Sequence, residues 1–444
     1  MDREVYQNFN QSIYREQLSN GLKVQLLPME GYHKTYAILT ADFGSIDNHF
    51  IPYHQKKAIT VPDGVAHFLE HKMFEKKDHD AFDLFGKLGA DSNAFTSFTQ
   101  TSYLFSTTSN LHENLDVLLD FVQDPYFTAE TVKKEQGIIG QEIQMYEDDP
   151  SWRLYLGILG NLYPKDPMRI DIAGTVESIS HITPEILMDS YRTFYQPTNM
   201  NLFLVGRLDP EETMAWIKQN QEQKIFAPAE TPQRLFSLND PTAHDVIPFR
   251  SLTMDIVRPK VMVGLRGTKQ FDDGKERLHY KLAIDLLLDV LFDDTSDNYL
   301  RLYNNETLDD TFSYNFEMQR GFHFAYFSSD TDQMERFADE VIDILESADQ
   351  QIEAARTRFE GIKKAELGRL IGLLDSPEAI ANRYAGDLFA GASLMDEIAT
   401  LETITIDDLY QVAKEFITPQ GISVYQVVPQ HHKLNFSYRF IPIS

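Results

Sequence analysis

The same local pattern closes each half of this 444-residue chain, and this repeat restricts the possible folds more than any other feature. In the first half, residues 182–195 have the pattern of a helix, and an apolar strand follows at 200–205 after Gln196-Pro197. In the second half, the same order of helix, proline and strand recurs between residues 404 and 427. A repeat at half-chain distance predicts two homologous α+β domains, each a mixed, largely antiparallel sheet packed with helices.

Composition predicts where one domain ends and the other begins. Residues 221–245 contain several prolines and many polar side chains, which is typical of a linker. We therefore expect an N-terminal domain at 1–220, the linker at 221–245 and a homologous C-terminal domain at 246–444. Each half is long enough to bury a core of its own.

The charge balance excludes one class of partner. The chain has 40 Lys and Arg against 68 Asp and Glu, a formal charge of −28, whereas nucleic-acid binding needs clustered basic side chains. The N-terminus lacks the apolar core of a signal peptide. No apolar run approaches the ~20 residues that cross a membrane. The sequence thus predicts a cytoplasmic protein without a nucleic-acid or membrane partner.

The pentapeptide at residues 67–71, His-Phe-Leu-Glu-His, is the best candidate for chemistry. On a helix, His67 and His71 lie one turn apart on one face, and Glu70 shares that face. Two imidazoles at this spacing can bind zinc, and the carboxylate can take a proton from an activated water. The order is the reverse of the commoner His-Glu-x-x-His metalloprotease helix. The alternative is a helix with two ordinary surface histidines.

A third zinc ligand must come from a carboxylate or another histidine, because the chain has no cysteine. The long helix predicted after Thr128 offers Glu135 and Glu142, which lie two turns apart on one face, and Glu147 follows closely. Spacing alone does not choose among these three, and the alternative is a solvated acidic face. The corresponding early helix of the second half, 278–292, has no His-x-x-Glu-His, which favours a site added to one copy of a shared scaffold. The alternative is drift of surface residues between the two copies.

Three further segments accompany the pentapeptide. They are residues 92–97 (Ser-Asn-Ala-Phe-Thr-Ser), 135–142 (Glu-Gln-Gly-Ile-Ile-Gly-Gln-Glu) and 195–206. Together with the pentapeptide, they resemble the inverzincin family of pitrilysin, insulin-degrading enzyme and mitochondrial processing peptidase. The resemblance spans nearly the whole chain, and its length is similar to the two-domain processing-peptidase branch. It implies a clamshell-forming fold and a zinc-bearing subunit of the bacterial type.

The resemblance also implies roles for individual residues. By position, His67, His71 and Glu142 would bind one Zn²⁺ per chain, Glu70 would be the general base, and Glu135 would steady a ligand histidine. The expected activity is that of a zinc-dependent metalloendopeptidase subunit, which hydrolyses peptides or flexible protein segments inside a dimeric chamber. An edge strand would bind the extended substrate by strand addition, through Asn93, Ala94, Phe95 and Thr96.

One family pattern is degenerate in this chain. Active relatives usually carry Arg-x-x-x-Gly-Leu-x-Tyr in the second half, whereas Tyr303 and Asp310 stand at those Arg and Tyr positions. Arg301 and Tyr314 are close by but out of register. In heterodimeric family members the pair lies on a zinc-free subunit. The resemblance therefore implies a homologous zinc-free partner that supplies Arg and Tyr, and it favours a heterodimer over a homodimer.

Two other functions are compatible with the same fold. The chain could be a non-catalytic structural or binding subunit of an inverzincin-like complex, although such members usually lose part of the zinc-binding set. It could also be a zinc hydrolase that acts on a non-peptide substrate, against which the peptide-pairing strand argues.

Overall fold

The structure is a computed structural model that describes residues 1–235, 245–383 and 390–430. The predicted linker is thus described only in part, since residues 236–244 lie outside the described ranges. The last fourteen residues of the predicted second domain, 431–444, lie outside them as well.

The first half is built on a seven-stranded sheet with the strand order β1-β2-β3-β9-β4-β8-β7. Its strands are β1 (Asp2–Tyr6), β2 (Gln11–Gln17), β3 (Lys23–Pro28), β4 (Thr35–Ala41), β7 (Asp91–Thr96), β8 (Thr101–Thr107) and β9 (Met200–Gly206). Strands β5 (His49–Ile51) and β6 (Ile59–Thr60) form a separate small sheet with β10 (Gln233–Arg234). Strand β7 pairs only with β8, so its other edge is free of strand partners among the described residues.

The second half is built on a five-stranded sheet with the order β11-β15-β12-β14-β13. Its strands are β11 (Phe249–Met254), β12 (Lys260–Arg266), β13 (Ser313–Gln319), β14 (Phe322–Asp330) and β15 (Ile422–Pro429). The pairing runs parallel, antiparallel, antiparallel, antiparallel across this sheet, as it does from β3 to β7 in the first. The same topology in both sheets confirms the prediction of two homologous α+β halves.

Sixteen helices of the described residues surround these sheets. Those of the first half are α1 (Val65–Phe74), α2 (Ala81–Leu88), α3 (Leu111–Val122), α4 (Ala129–Glu147), α5 (Pro150–Leu162), α6 (Val176–Ser180), α7 (Pro184–Phe194) and α8 (Pro210–Glu222). Those of the second half are α9 (Gly274–Phe292), α10 (Asp297–Asn304), α11 (Met334–Glu346), α12 (Ala348–Ala355), α13 (Phe359–Leu373), α14 (Pro377–Arg383), α15 (Leu394–Thr403) and α16 (Ile406–Phe416).

Both faces of the first sheet are buried at its centre, as β4 shows. Ala37 and Leu39 belong to a core that the helices of the first half complete, whereas Tyr36 and Ile38 belong to a core shared with the second half. Successive side chains of a strand point to opposite faces. A strand buried on both faces is therefore apolar throughout, which explains the nearly unbroken apolar run of β4.

Each half contributes one helix to the sheet of the other half. Helix α14 lies on β4 and β9, where the Tyr36 hydroxyl donates to Asn382 Oδ1 at 3.1 Å. Helix α5 lies on β12 and β15 of the second sheet. Glycines allow its close approach, because a Cβ at Gly157 would come within 2.3 Å of the Tyr425 ring and one at Gly264 within 2.6 Å of Ile158. This exchange holds the two halves together through apolar packing.

A buried ion cluster adds a polar contact between the halves. Asp47, which is 3% exposed, accepts hydrogen bonds from Arg234 Nε at 3.0 Å and from Arg320 Nη2 at 2.8 Å. Arg320 stands in the turn between β13 and β14 and also bonds Asp42. Nearby, the Thr99 hydroxyl donates to Gln319 at 3.0 Å. The tip of the second-half hairpin is thus tied to the loops that follow β4 and β7.

Candidate metal centre

Helix α1 carries the pentapeptide and is buried along most of its length. Its first turn starts at Gly64, which has a φ of 93° and whose Cβ position would lie 2.4 Å from the Ala173 carbonyl oxygen, so only glycine fits there. The spacing of four residues places the rings of His67 and His71 4.6 Å apart. The two histidines therefore share one face of α1, as the sequence predicts.

Helix α4 supplies the acidic side chains that face α1. Thr128 caps its N-terminus by accepting a hydrogen bond from the Thr131 amide. Glu142 Oε1 lies 3.6 Å from His67 Nε2, and Glu142 Oε2 lies 3.6 Å from His71 Nε2. Ligand atoms of these three residues lie within 4.8 Å of one another. The structure thus brings Glu142, not the exposed Glu147, to the two histidines.

Glu135 contacts the ring nitrogen of His71 that points away from Glu142. Its Oε1 lies 3.0 Å from His71 Nδ1, and Glu135 is 8% exposed. A carboxylate at this ring nitrogen fixes the orientation of the imidazole and leaves Nε2 directed toward Glu142. This is the outer-carboxylate position that the sequence analysis expects for Glu135.

The chemistry of the three converging side chains fits zinc. Two imidazole nitrogens and a carboxylate oxygen are common zinc ligands, and ligands at about 2.0–2.1 Å from one tetrahedral ion would lie roughly 3.3 Å apart. Each histidine Nε2 lies 3.6 Å from one of the two Glu142 oxygens, and all ligand atoms lie within 4.8 Å, so the three side chains would need to move together slightly around an ion. Burial, followed by the neighbouring His71, lowers the pKa of His67 to about 3, so its imidazole is neutral, the form that binds metals.

The protonation of the remaining groups reflects their mutual charges. Burial lowers the pKa of His71, but the hydrogen bond with Glu135 and the charges of Glu70, Glu135 and Glu142 outweigh it and raise that pKa. Burial raises the pKa of Glu70, which is 8% exposed, and the charge of Glu142 acts in the same direction. The carboxylate of Glu70 therefore has a raised affinity for a proton, as a general base near neutral pH requires.

The predicted substrate strand lies directly beside this group. Residues 93–96 belong to β7, whose outer edge has no strand partner in the described ranges. The hydroxyl of Thr96 donates to Glu70 Oε2 at 2.6 Å, and the Asn93 side chain accepts a hydrogen bond from the Ala94 amide at 2.9 Å. The structure thus brings the predicted strand and the predicted base into contact.

Tyr146 is a residue of this centre that the sequence analysis does not single out. It lies one turn after Glu142 on α4. Burial raises the pKa of its phenol, and the charges of Glu142, Asp171 and Glu70 add to this effect, so the phenol stays neutral beside the carboxylates. The spacing of four residues from Glu142 is the signal that could have identified it.

Arg301 and Tyr314, the residues close to the degenerate family pattern, are each bonded to an acidic side chain of the second half. Arg301 Nη1 pairs with Glu340 at 2.6 Å, and the Tyr314 hydroxyl donates to Asp289 at 2.8 Å. Tyr303 is 48% exposed, and Asp310 is also exposed. The side chains of Arg301 and Tyr314 therefore have partners within the second half.

None of the helices in the described ranges is both long enough and apolar enough to cross a membrane.

Two family models match the chain. Residues 60–176 match the insulinase model of peptidase family M16, and residues 181–366 match the model described as the peptidase M16 inactive domain. The uncharacterized zinc protease YmfH of Bacillus subtilis is 45% identical over 428 residues, which cover 96% of this chain and 98% of that protein.

More distant relatives and solved structures agree with these matches. A probable mitochondrial-processing peptidase subunit beta of Arabidopsis thaliana is 26% identical over 215 residues, 47% of this chain and 40% of that protein. The crystal structure of a protein from Alicyclobacillus acidocaldarius, described as an M16-like peptidase, superposes with a TM-score of 0.86 at 33% identity. The match covers 95% of this chain and 99% of the other.

Proposed function

Since the chain belongs to peptidase family M16, we propose that it is a zinc-dependent metalloendopeptidase subunit that hydrolyses peptides or flexible protein segments. The observation that carries the proposal is the convergence of His67, His71 and Glu142, with ligand atoms within 4.8 Å of one another. The zinc protease name of its relative from Bacillus subtilis supports the same activity. A cytoplasmic location remains a prediction from the sequence.

In the proposed centre, His67 Nε2, His71 Nε2 and a Glu142 oxygen hold one Zn²⁺. When bound there, zinc supplies Lewis-acid polarisation of a carbonyl oxygen and lowers the pKa of a water to about 7. Glu135 keeps the His71 ring in place through Nδ1, at 3.0 Å. The neutral His67 ring needs no proton loss before it binds the ion.

Glu70 moves the proton in the proposed reaction. Its carboxylate takes a proton from the attacking water and later gives it to the leaving amine. Burial raises the pKa of this carboxyl group, which brings its proton affinity closer to that of water activated near neutral pH. The group thus has the basicity to accept the proton and the acidity to return it.

Strand β7 binds the substrate in this proposal. Its free edge offers main-chain amide and carbonyl groups to an extended peptide, and such pairing depends little on the peptide's side chains. Residues 93–96 would then lie against the scissile region, since Thr96 contacts Glu70. An extended or flexible segment can adopt this conformation, whereas a folded domain cannot.

A partner subunit completes the proposed enzyme. Tyr303 and Asp310 stand where the family usually has Arg and Tyr, and the nearby Arg301 and Tyr314 are bonded to second-half acids. We propose that a homologous zinc-free chain supplies this pair in a heterodimer that encloses a chamber. The match of residues 181–366 to an M16 inactive-domain model agrees with this proposal, because the described residues of the second half show no group of metal-binding side chains like that of the first.

The test is to measure cleavage of a quenched peptide library by the purified chain, alone and mixed with the homologue encoded beside it, with and without a zinc chelator. We expect chelator-sensitive cleavage that the homologue increases. Full activity of the chain alone would contradict obligate pairing. A zinc-free chain without cleavage under any condition would instead favour a non-catalytic structural or binding subunit. Zinc-dependent turnover of non-peptide esters or amides alone would point to a different hydrolase.

A further inference from the structure

Thr96 belongs to the edge strand β7 and also contacts Glu70. It is the last residue of β7, the edge strand, and its hydroxyl donates a 2.6 Å hydrogen bond to Glu70 Oε2. The main chain of Thr96 is fixed by its pairing with Thr101 of β8. One residue therefore connects the strand proposed to bind substrate with the carboxylate proposed to move the proton.

We propose that Thr96 is a positioning residue that holds the carboxylate of Glu70 in its working orientation and ties that orientation to the substrate-binding strand. This inference rests on the proposed function of the centre. It assigns the Thr96 side chain a task separate from the main-chain pairing of strand β7 with substrate.

The two oxygens of the Glu70 carboxylate have different surroundings. Thr96 engages Oε2, and among the described residues Oε1 accepts no hydrogen bond. A hydroxyl that donates to one carboxylate oxygen can keep donating to it after the other oxygen is protonated. The proton taken from water is thus directed to Oε1. The hydrogen bond from Thr96 also restricts the rotation of the Glu70 side chain, which in the proposed reaction contacts first the water and then the leaving amine.

The position of Thr96 also links substrate binding to the base. A peptide that pairs with the free edge of β7 orders the strand that carries the hydroxyl. A small shift of this strand would move the donor and with it the carboxylate. A correctly paired substrate therefore stabilises the arrangement in which Glu70 is ready to accept a proton.

The kinetic test compares Thr96→Val with Thr96→Ser in the complete enzyme, with the partner chain where activity requires it. Valine keeps the shape but removes the donor, and a hydrogen bond to a charged group predicts a fall in kcat of roughly 10- to 100-fold. KM and zinc content should stay unchanged, and serine should restore most of kcat. A rise in KM at unchanged kcat, or no change at all, would overturn the positioning role.

Thr107→Val is the matched control. Thr107 ends β8 as Thr96 ends β7, and its hydroxyl donates to the Ser109 carbonyl oxygen, also at 2.6 Å. The same hydroxyl accepts a hydrogen bond from the Ser109 amide at 3.2 Å, and it lies at the other end of the β7–β8 pair from Thr96. The control should therefore lose at least as much thermal stability as Thr96→Val without the loss of kcat.

A stability measurement on the metal-free chain tests the contact independently of turnover. The shift in Tm from Thr96→Val is measured in the wild-type background and in Glu70→Met, which removes the acceptor. We expect a clear loss in the first background and almost none in the second, whereas Thr107→Val should cost the same in both. Equal losses from Thr96→Val in both backgrounds would overturn the inference. Absence of zinc-dependent cleavage even with the partner chain present would contradict the proposed function, and this cycle would still decide the contact.

Discussion

The two halves place different side chains on the same arrangement of helices and edge strand. In the first, His67, His71 and Glu142 face one another, with each histidine Nε2 3.6 Å from an oxygen of Glu142. In the second, acids on α9 and α13 line a cavity of about 750 Å³ beside edge strand β13. Each of these acids has its own partner: Lys281 for Asp285, Tyr314 for Asp289 and Arg369 for Glu366.

The difference shows how few side chains distinguish the half with the candidate metal centre from the described part of the other half. Neutralised acids need no ion, because each negative charge already has a hydrogen-bond donor. In the first half the buried Nδ1 of His67 has no hydrogen-bond partner among the described residues. Its Nε2 faces a carboxylate at 3.6 Å. A cation bound between His67, His71 and Glu142 would stabilise these side chains. The acids of the second-half cavity need no such cation, because each already has a hydrogen-bond donor.

The largest effect should come from Glu70, the residue of the first half that we propose moves the proton. Glu70→Gln keeps the size of the side chain but cannot accept the proton, so kcat should fall by about 10³-fold while zinc content stays at the wild-type level. The matched control is Asp289→Asn, which removes an acid from the corresponding helix of the second half and should leave kcat unchanged. A comparable fall in kcat in both variants would contradict the proposal that only the first half takes part in catalysis.

The contact between the halves should be the next most sensitive. Arg320→Ala leaves Asp47 buried with fewer donors, and breaking a buried ion pair predicts a loss of about 3 kcal/mol in the free energy of unfolding. Arg301→Ala is the comparison, because its exposed pair with Glu340 should contribute no more than about 1 kcal/mol. Denaturant unfolding measures both, and equal values would contradict a structural role for the cluster around Asp47.

The outer carboxylate should matter for metal affinity but less than a ligand. Glu135→Gln weakens the hold on His71 Nδ1, so zinc affinity should fall by about 10- to 100-fold. Glu366→Gln changes a buried glutamate of α13 in the second half and should leave zinc affinity as it was. Competition with a chromogenic chelator measures both affinities. An unchanged affinity in Glu135→Gln would remove Glu135 from the centre.

The effect confined to part of the pH range should be a pH dependence of stability in the second half. Burial is the main cause that raises the pKa of Asp289 to about 7 from 3.8. The folded chain therefore binds this proton more tightly than the unfolded chain between about pH 4 and 7, so its contribution to stability is present below pH 4 and is lost as pH rises through 7. Asp289→Asn should remove most of the decline over this window, which a shift of about three pKa units puts at no more than about 4 kcal/mol. Identical pH profiles would contradict the raised pKa.

Features that depend on local sequence were predictable. Thr128 marks the start of α4, the apolar spacing of residues 111–122 gives α3, and the run Thr35–Ala41 is strand β4. The proximity of His67 and His71 follows from helix geometry alone. These features need only capping, periodicity and a spacing of four residues.

Features that depend on distant contacts were not predictable from spacing. The choice of Glu142 over Glu147 requires the way α4 packs on α1, and only the family resemblance anticipated it. Helix α5 was not predicted, although Asp149 and Pro150 form a typical helix start, and nothing local indicates that it packs on the other half's sheet. The contact of Thr96 with Glu70 likewise depends on where an edge strand meets α1.

Metal analysis tests the central claim most directly, namely that the first half alone holds a zinc centre built on His67, His71 and Glu142. The protein is purified without added chelator, and zinc per chain is measured by mass spectrometry for the wild type, Glu142→Gln and Glu366→Gln. We predict one zinc per chain in the wild type and in Glu366→Gln, and a marked loss in Glu142→Gln. A zinc-free wild type, or full zinc retention in Glu142→Gln, would contradict the account.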